Sequence, residues 1–145
     1  MSTRKATEGE VSRIESRDQL VAPMAAGAKP REQWRIGTEH EKLVYFRKDK
    51  RAPSYDEPGG IRDILMALTE FGWEPVEENG KVIAMSGPDG TVSLEPAGQL
   101  ELSGAPLENL HETCNETGRH LQQVKAIGDR FGVGFLGLGM WPDKT

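Results

Sequence analysis

Apolar and polar residues alternate with period two through 92–95 and again through 99–103. Successive strand side chains point to opposite faces, so Val92 and Leu94, then Leu100 and Leu102, form an apolar row for a core. Ser93, Glu95, Gln99, Glu101 and Ser103 form a polar row on the other face. Pro96-Ala97-Gly98 joins the two runs. Pro96 lacks a backbone N–H and Gly98 permits positive φ, which suits a bend that re-aims the polar row. A carboxylate on each side of that bend can converge on one metal ion.

The same patterning predicts the remaining elements. Residues 1–15 are polar and expected to be disordered, and Ser16-Arg17-Asp18-Gln19 reads as a capping box. A short helix should follow through Leu20, Val21 and Met24 to Gly27, with Pro23 distorting its interior. Trp34 to Phe46 reads as a strand whose Glu39 and Glu41 leave from one face and His40 from the other. Residues 47–60 form a loop. Ile61, Ile64, Leu65, Leu68 and Phe71 recur at helical spacing, with Gly72 as the C-terminal cap. Trp73–Val76 and Lys81–Met85 read as strands, and Gly87-Pro88-Asp89-Gly90 turns the chain into Thr91–Glu95. A long helix is expected from Pro106 to about Gly128, with Leu107, Leu110, Cys114, Leu121 and Val124 as its apolar stripe. A Gly-rich strand, Gly132 to Met140, follows. The class is α+β, with antiparallel strands and helices packed on one face.

Composition narrows the function classes. A chain of 145 residues is the size of one domain, and no repeat or internal boundary is visible. The net charge of −5 gives no reason to bind nucleic acid, and no apolar run approaches the roughly 20 residues of a membrane helix. One cysteine, Cys114, excludes an internal disulfide and fits a reducing compartment. Glu8, Glu10, Glu15 and Asp18 argue against an organelle transit segment, so the expected location is the cytosol.

Glu39 and Glu41 on one strand and Glu95 and Glu101 beside the bend make two carboxylate pairs of similar design. Four carboxylates on one face repel unless they are well separated or share cations, and oxygen donors without imidazole or thiolate favour Mg²⁺ or Mn²⁺ over Zn²⁺. Mg²⁺ held this way accompanies substrate phosphates in ATP-using enzymes. His111, Cys114 and His120 do not make a zinc site: His120 falls on the opposite side of the helix, and three ligands are too few. Cys114 is therefore expected to pack in the core and the histidines to lie on the surface. Gly132-Val133-Gly134-Phe135-Leu136-Gly137 matches a dinucleotide fingerprint in letters only. It follows a helix instead of opening one, so its glycines are expected to serve strand packing.

Three segments carry a family resemblance: Ile36-Gly37-Thr38-Glu39-His40-Glu41-Lys42, the run 93–103, and Gly104 to Cys114. Together with Gln123-Val124-Lys125-Ala126 and 134–139, they resemble the plant-type glutamate–cysteine ligases, found in plants and many proteobacteria. The resemblance implies a glutamine synthetase-like antiparallel sheet with helices outside. It implies ATP-dependent joining of the γ-carboxylate of L-glutamate to L-cysteine through a γ-glutamyl phosphate, the first step of glutathione synthesis. Glu39, Glu41, Glu95 and Glu101 would then be the Mg²⁺-holding catalytic carboxylates, with Gln99 a substrate contact. Ala97 and Leu100 depart from the family's usual Gly and Phe. Members are several times longer, so residues 1–145 are expected to be the N-terminal part of one catalytic domain, inactive alone. The later arginines for ATP and glutamate lie outside it. The alternatives are a different carboxylate–amine ligase of the same fold, and a non-catalytic metal-binding or interaction domain.

Overall fold

A computed structural model describes residues 13–88 and 90–142. The expectation for 1–15 falls mostly outside those residues, as does Asp89 of the predicted turn. The chain divides into two units, Met1–Trp34 and Arg35–Thr145.

In the first unit, helix α1 spans Arg17–Ala26. Its N-terminus carries the predicted capping box: Gln19 N–H donates to Ser16 Oγ, and Gln19 Oε1 accepts from the Ser16 N–H, each at 3.3 Å. Pro23 sits inside the helix without ending it. Trp34 Nε1 donates to the Lys29 carbonyl at 2.9 Å, folding the unit's end back on itself.

The second unit is built on a six-stranded sheet: β1 (Glu39–Phe46), β2 (Glu74–Glu78), β3 (Lys81–Gly87), β4 (Gly90–Glu95), β5 (Gln99–Gly104) and β6 (Val133–Leu136). The order is β2-β3-β4-β5-β1-β6, with all neighbours antiparallel. This α+β arrangement is consistent with part of a glutamine synthetase-like fold. One face carries the core, where Val44, Met85, Val92, Leu100, Leu102 and Val133 pack with Ile61, Ile64 and Leu65 of α2 (Ile61–Ala67) and Ile127 of α3 (Leu110–Phe131). An extra residue in β3, at Ile83 between the partners of Val76 and Glu77, shifts the alternation so that Val82 also joins that core.

Several expectations are corrected. β1 begins at Glu39, and upstream Ile36 makes only an isolated bridge to Leu107. That bridge keeps Leu107 out of α3, which starts at Leu110 with Asn109 Oδ1 accepting from the His111 and Glu112 N–H groups. The predicted helical stripe is largely wrong: Leu110, Cys114 and Leu121 are exposed. Val124 is buried as expected, and it shares that face with Glu116, His120, Ile127 and Gly128. Cys114 is thus not a core thiol and His120 is not a surface group. The Gly-rich strand also stops at Leu136. Gly132 is the left-handed cap of α3, with φ of 68°.

The bend between β4 and β5 is a 3-10 turn, Pro96–Gly98. Gly98 has φ of 75°, and Ala97, at 62°, sits in the same left-handed region. A side chain costs about 1–2 kcal/mol there, while glycine gives back part of that as unfolded-chain entropy. Ala97→Gly should therefore stabilise the protein by up to about 1 kcal/mol in urea denaturation. Destabilisation would show that the Ala97 methyl makes a contact worth more than the strain.

Candidate functional site

The sheet face opposite the helices gathers all four predicted carboxylates. β5 sets the arrangement, because it pairs with β4 on one side and β1 on the other. Glu101 stands opposite Glu41 across one ladder and opposite Ser93 across the other. Ser103 likewise separates Glu39 from Thr91, and Glu95 faces Gln99. Residues directly opposite in a ladder project to the same side with Cβ atoms about 5 Å apart. The result is a polar lattice of oxygen donors.

Short hydrogen bonds orient its members. Gln99 Nε2 donates to Glu41 Oε2 at 2.7 Å, and Ser103 Oγ donates to Glu101 Oε1 at 2.8 Å. Ser93 Oγ reaches Glu95 Oε1 at 3.4 Å. Glu101 is buried, Glu95 is half-buried, and Glu39 and Glu41 are exposed. Sequence reading offered Gln99 as a substrate contact; in the structure its amide holds Glu41. Ser93 and Ser103, which it did not single out, fix the neighbouring carboxylates.

The donor set fits a hard divalent cation of the Mg²⁺ kind. Among the described residues no three His, Cys, Asp or Glu side chains stand close enough to enclose one ion, so the bend does not by itself make a closed cage. Mg²⁺ is ordinarily bound by only one or two carboxylates and keeps the rest of its octahedron for water and substrate phosphates. Glu41 and Glu101 stand as one such pair across the ladder, with Glu39 and Glu95 to either side of it.

Behind this face lies a second polar layer that sequence reading missed. Lys42 shares the helix side of β1 with His40 and is 2% exposed, and its ammonium donates to the His40 carbonyl at 2.7 Å. Facing it from α3, His120 is 2% exposed and Glu116 3% exposed. Glu116 Oε1 accepts from Ala105 N–H at 2.7 Å. That approach requires Gly104, where a Cβ would lie 2.2 Å from Glu116 Oε2. Both ring nitrogens of His120, Nδ1 of His40 and Oε2 of Glu116 are buried without a hydrogen-bond partner. Burial pushes the Lys42 ammonium down to about 8, against a smaller opposing pull from Glu101. It pushes His120 down to about 3, helped by the charges of Lys42 and His40. The available signal was parity: Lys42 falls on the apolar side of the β1 alternation.

A family model, glutamate-cysteine ligase family 2 (GCS2), matches residues 35–145. The glutamate–cysteine ligase A, chloroplastic, of Oryza sativa subsp. japonica is 50% identical over 128 residues, which are 88% of this chain and 25% of that protein. The chloroplastic glutamate–cysteine ligases of Brassica juncea and Arabidopsis thaliana are 48% and 46% identical over the same share of this chain, and 24% of their own lengths. The chain spans about a quarter of the relatives it matches. Their names contradict the expected cytosolic location, since each relative is described as chloroplastic.

The buried layer gives stability a defined pH dependence. Between about 8 and the ordinary lysine value of 10.5, folded Lys42 has shed a proton that the unfolded chain still holds, so stability should rise with pH. Between the ordinary histidine value of 6.5 and about 3, only the unfolded chain protonates His120, so stability should fall as pH falls. Denaturant titrations across pH check both limbs, and Lys42→Met should abolish the alkaline rise. An alkaline rise of full size in that variant would contradict the assignment.

Proposed function

The chain belongs to glutamate–cysteine ligase family 2, and from that premise we propose that the polypeptide containing it joins L-glutamate to L-cysteine. ATP phosphorylates the γ-carboxylate of glutamate. The cysteine amine then attacks the acyl phosphate, the phosphate leaves, and γ-glutamylcysteine, ADP and phosphate result. This is the entry step of glutathione synthesis. Residues 35–142 would form one wall of the site, within a catalytic domain that continues beyond this chain.

The observation that carries the reading is the in-register Glu41–Glu101 pair, flanked by Glu39 and Glu95 on one face. Mg²⁺, or Mn²⁺ in its place, would neutralise phosphate oxygens and hold ATP in line for transfer. The side chains of this chain supply the orientation. Ser103 fixes the buried Glu101, Gln99 fixes Glu41, and Glu39 and Glu95 border the pair. Preset carboxylates avoid reorganisation when charge moves between phosphates, which is how a site with little covalent work accelerates transfer.

Glu101→Gln and Glu41→Gln, made in the full-length protein, should each lower kcat by about a hundredfold or more and raise the Mg²⁺ concentration for half-maximal rate. Thermal stability should hold or improve, because each change removes one of two opposed charges. Rates and Mg²⁺ dependence equal to those of the parent protein would defeat the ligand assignment. Nucleotide turnover that does not depend on cysteine would point to a different amine substrate.

A further inference from the structure

The carboxylate face does not stay polar along its length. β1 runs on from Glu39 and Glu41 to Leu43 and Tyr45, which share their side of the sheet. Leu43 is 1% exposed yet stands outside the cluster that packs under the helices, as a residue on the opposite face must. Across the ladder, β6 places Leu136 against Leu43 and Gly134 against Tyr45. Gly134 is a requirement of that placement. A Cβ there would lie 2.4 Å from Tyr45 Cζ, so the missing side chain lets the phenol ring lie across β6.

Beyond the ring opens a cavity of about 210 Å³, bounded by Tyr45, Lys50, Leu136, Trp141 and Pro142. Two walls are aromatic and two aliphatic. The Lys50 ammonium sits 5.4 Å from the Tyr45 ring centroid and donates to the Arg47 carbonyl at 2.8 Å. Drug-sized ligands occupy about 300–1,000 Å³, so this volume suits a single ring system. The lining suits an uncharged planar group with two π faces, with a cationic donor at its edge. Neither amino-acid substrate matches: glutamate needs paired charges, and the cysteine side chain is too small to fill the space. Glu41 and Tyr45 are four residues apart, roughly 13 Å at the rise of a strand. That is the scale of the span between the base and the terminal phosphates of a nucleotide.

We propose that this cavity is the base subsite of the nucleotide whose phosphates the carboxylate end of the same face receives. The assignment rests on the ATP-dependent ligase reading and extends it. The base stacks against Tyr45 and Trp141, the aliphatic side chains exclude water from its edges, and Lys50 closes the rim.

The test uses the full-length protein with Trp141→Ala and Tyr45→Leu variants. ATP kinetics are compared with calorimetric binding of adenosine and of inorganic tripolyphosphate, each with Mg²⁺. Stacking on an aromatic side chain is worth about 1–3 kcal/mol, so the KM for ATP should rise roughly five- to a hundredfold while kcat changes little. Adenosine binding should be lost and tripolyphosphate binding retained. An unchanged KM for ATP in both variants overturns the base subsite, and if Glu101→Gln still weakens ATP use, the ligase reading survives that failure. A parallel loss of tripolyphosphate binding in the variants also overturns it, because the residues would then support the whole face. Absence of both ATP turnover and tripolyphosphate binding in the parent protein defeats the ligase reading and the subsite together.

Discussion

Like charges set directly across an antiparallel ladder repel, and Glu41 faces Glu101 in the interior of this sheet. The rest of the structure accommodates that conflict. β5 cannot slip by one residue to relieve it, because a slip would turn Leu100 and Leu102, both essentially fully buried, to the opposite face. The core on one side of the sheet therefore enforces the charge pair on the other. Gln99 and Ser103 each satisfy one carboxylate oxygen of the pair.

The helix side of the sheet bears a matching burden. A lysine, a glutamate and a histidine are buried between β1 and α3, several of their polar atoms without partners. Such groups destabilise a core unless paired. Lys42 is adjacent in sequence to Glu41, with its ammonium held by the carbonyl of His40, the residue between Glu39 and Glu41. A buried cation thus lies one sheet-thickness from two of the front carboxylates. The single-layer sheet separates the two polar sets physically while leaving them in each other's field.

Period-two alternation made β4, β5 and the Glu39–Glu41 segment legible from sequence, and with them the shared face of the four carboxylates. Turn chemistry found the β3–β4 and β4–β5 connections. Hydrophobic periodicity failed on α3, because a helix that buries Glu116 and His120 and exposes Leu110 and Leu121 inverts the rule the reading relied on. The upstream end of the first strand was overcalled for a similar reason: Trp34 and Ile36 look strand-like, but the chain there has only one bridge. Register was not legible at all. No sequence pattern says that Glu101 sits opposite Glu41 rather than opposite Glu39, since both choices keep the faces in order. The glycines of 132–137 were expected to serve strand packing, and one of them, Gly134, makes room for the Tyr45 ring that floors an apolar cavity.

The central claim is that the Glu41–Glu101 pair receives a divalent cation together with phosphate oxygens. Anomalous scattering from crystals of the full-length protein grown with Mn²⁺ and a non-hydrolysable ATP analogue tests it directly. The account predicts an Mn²⁺ peak bonded to carboxylate oxygens of Glu41 and Glu101 and to the analogue's phosphates. A phosphate-bound Mn²⁺ that touches neither carboxylate would contradict it.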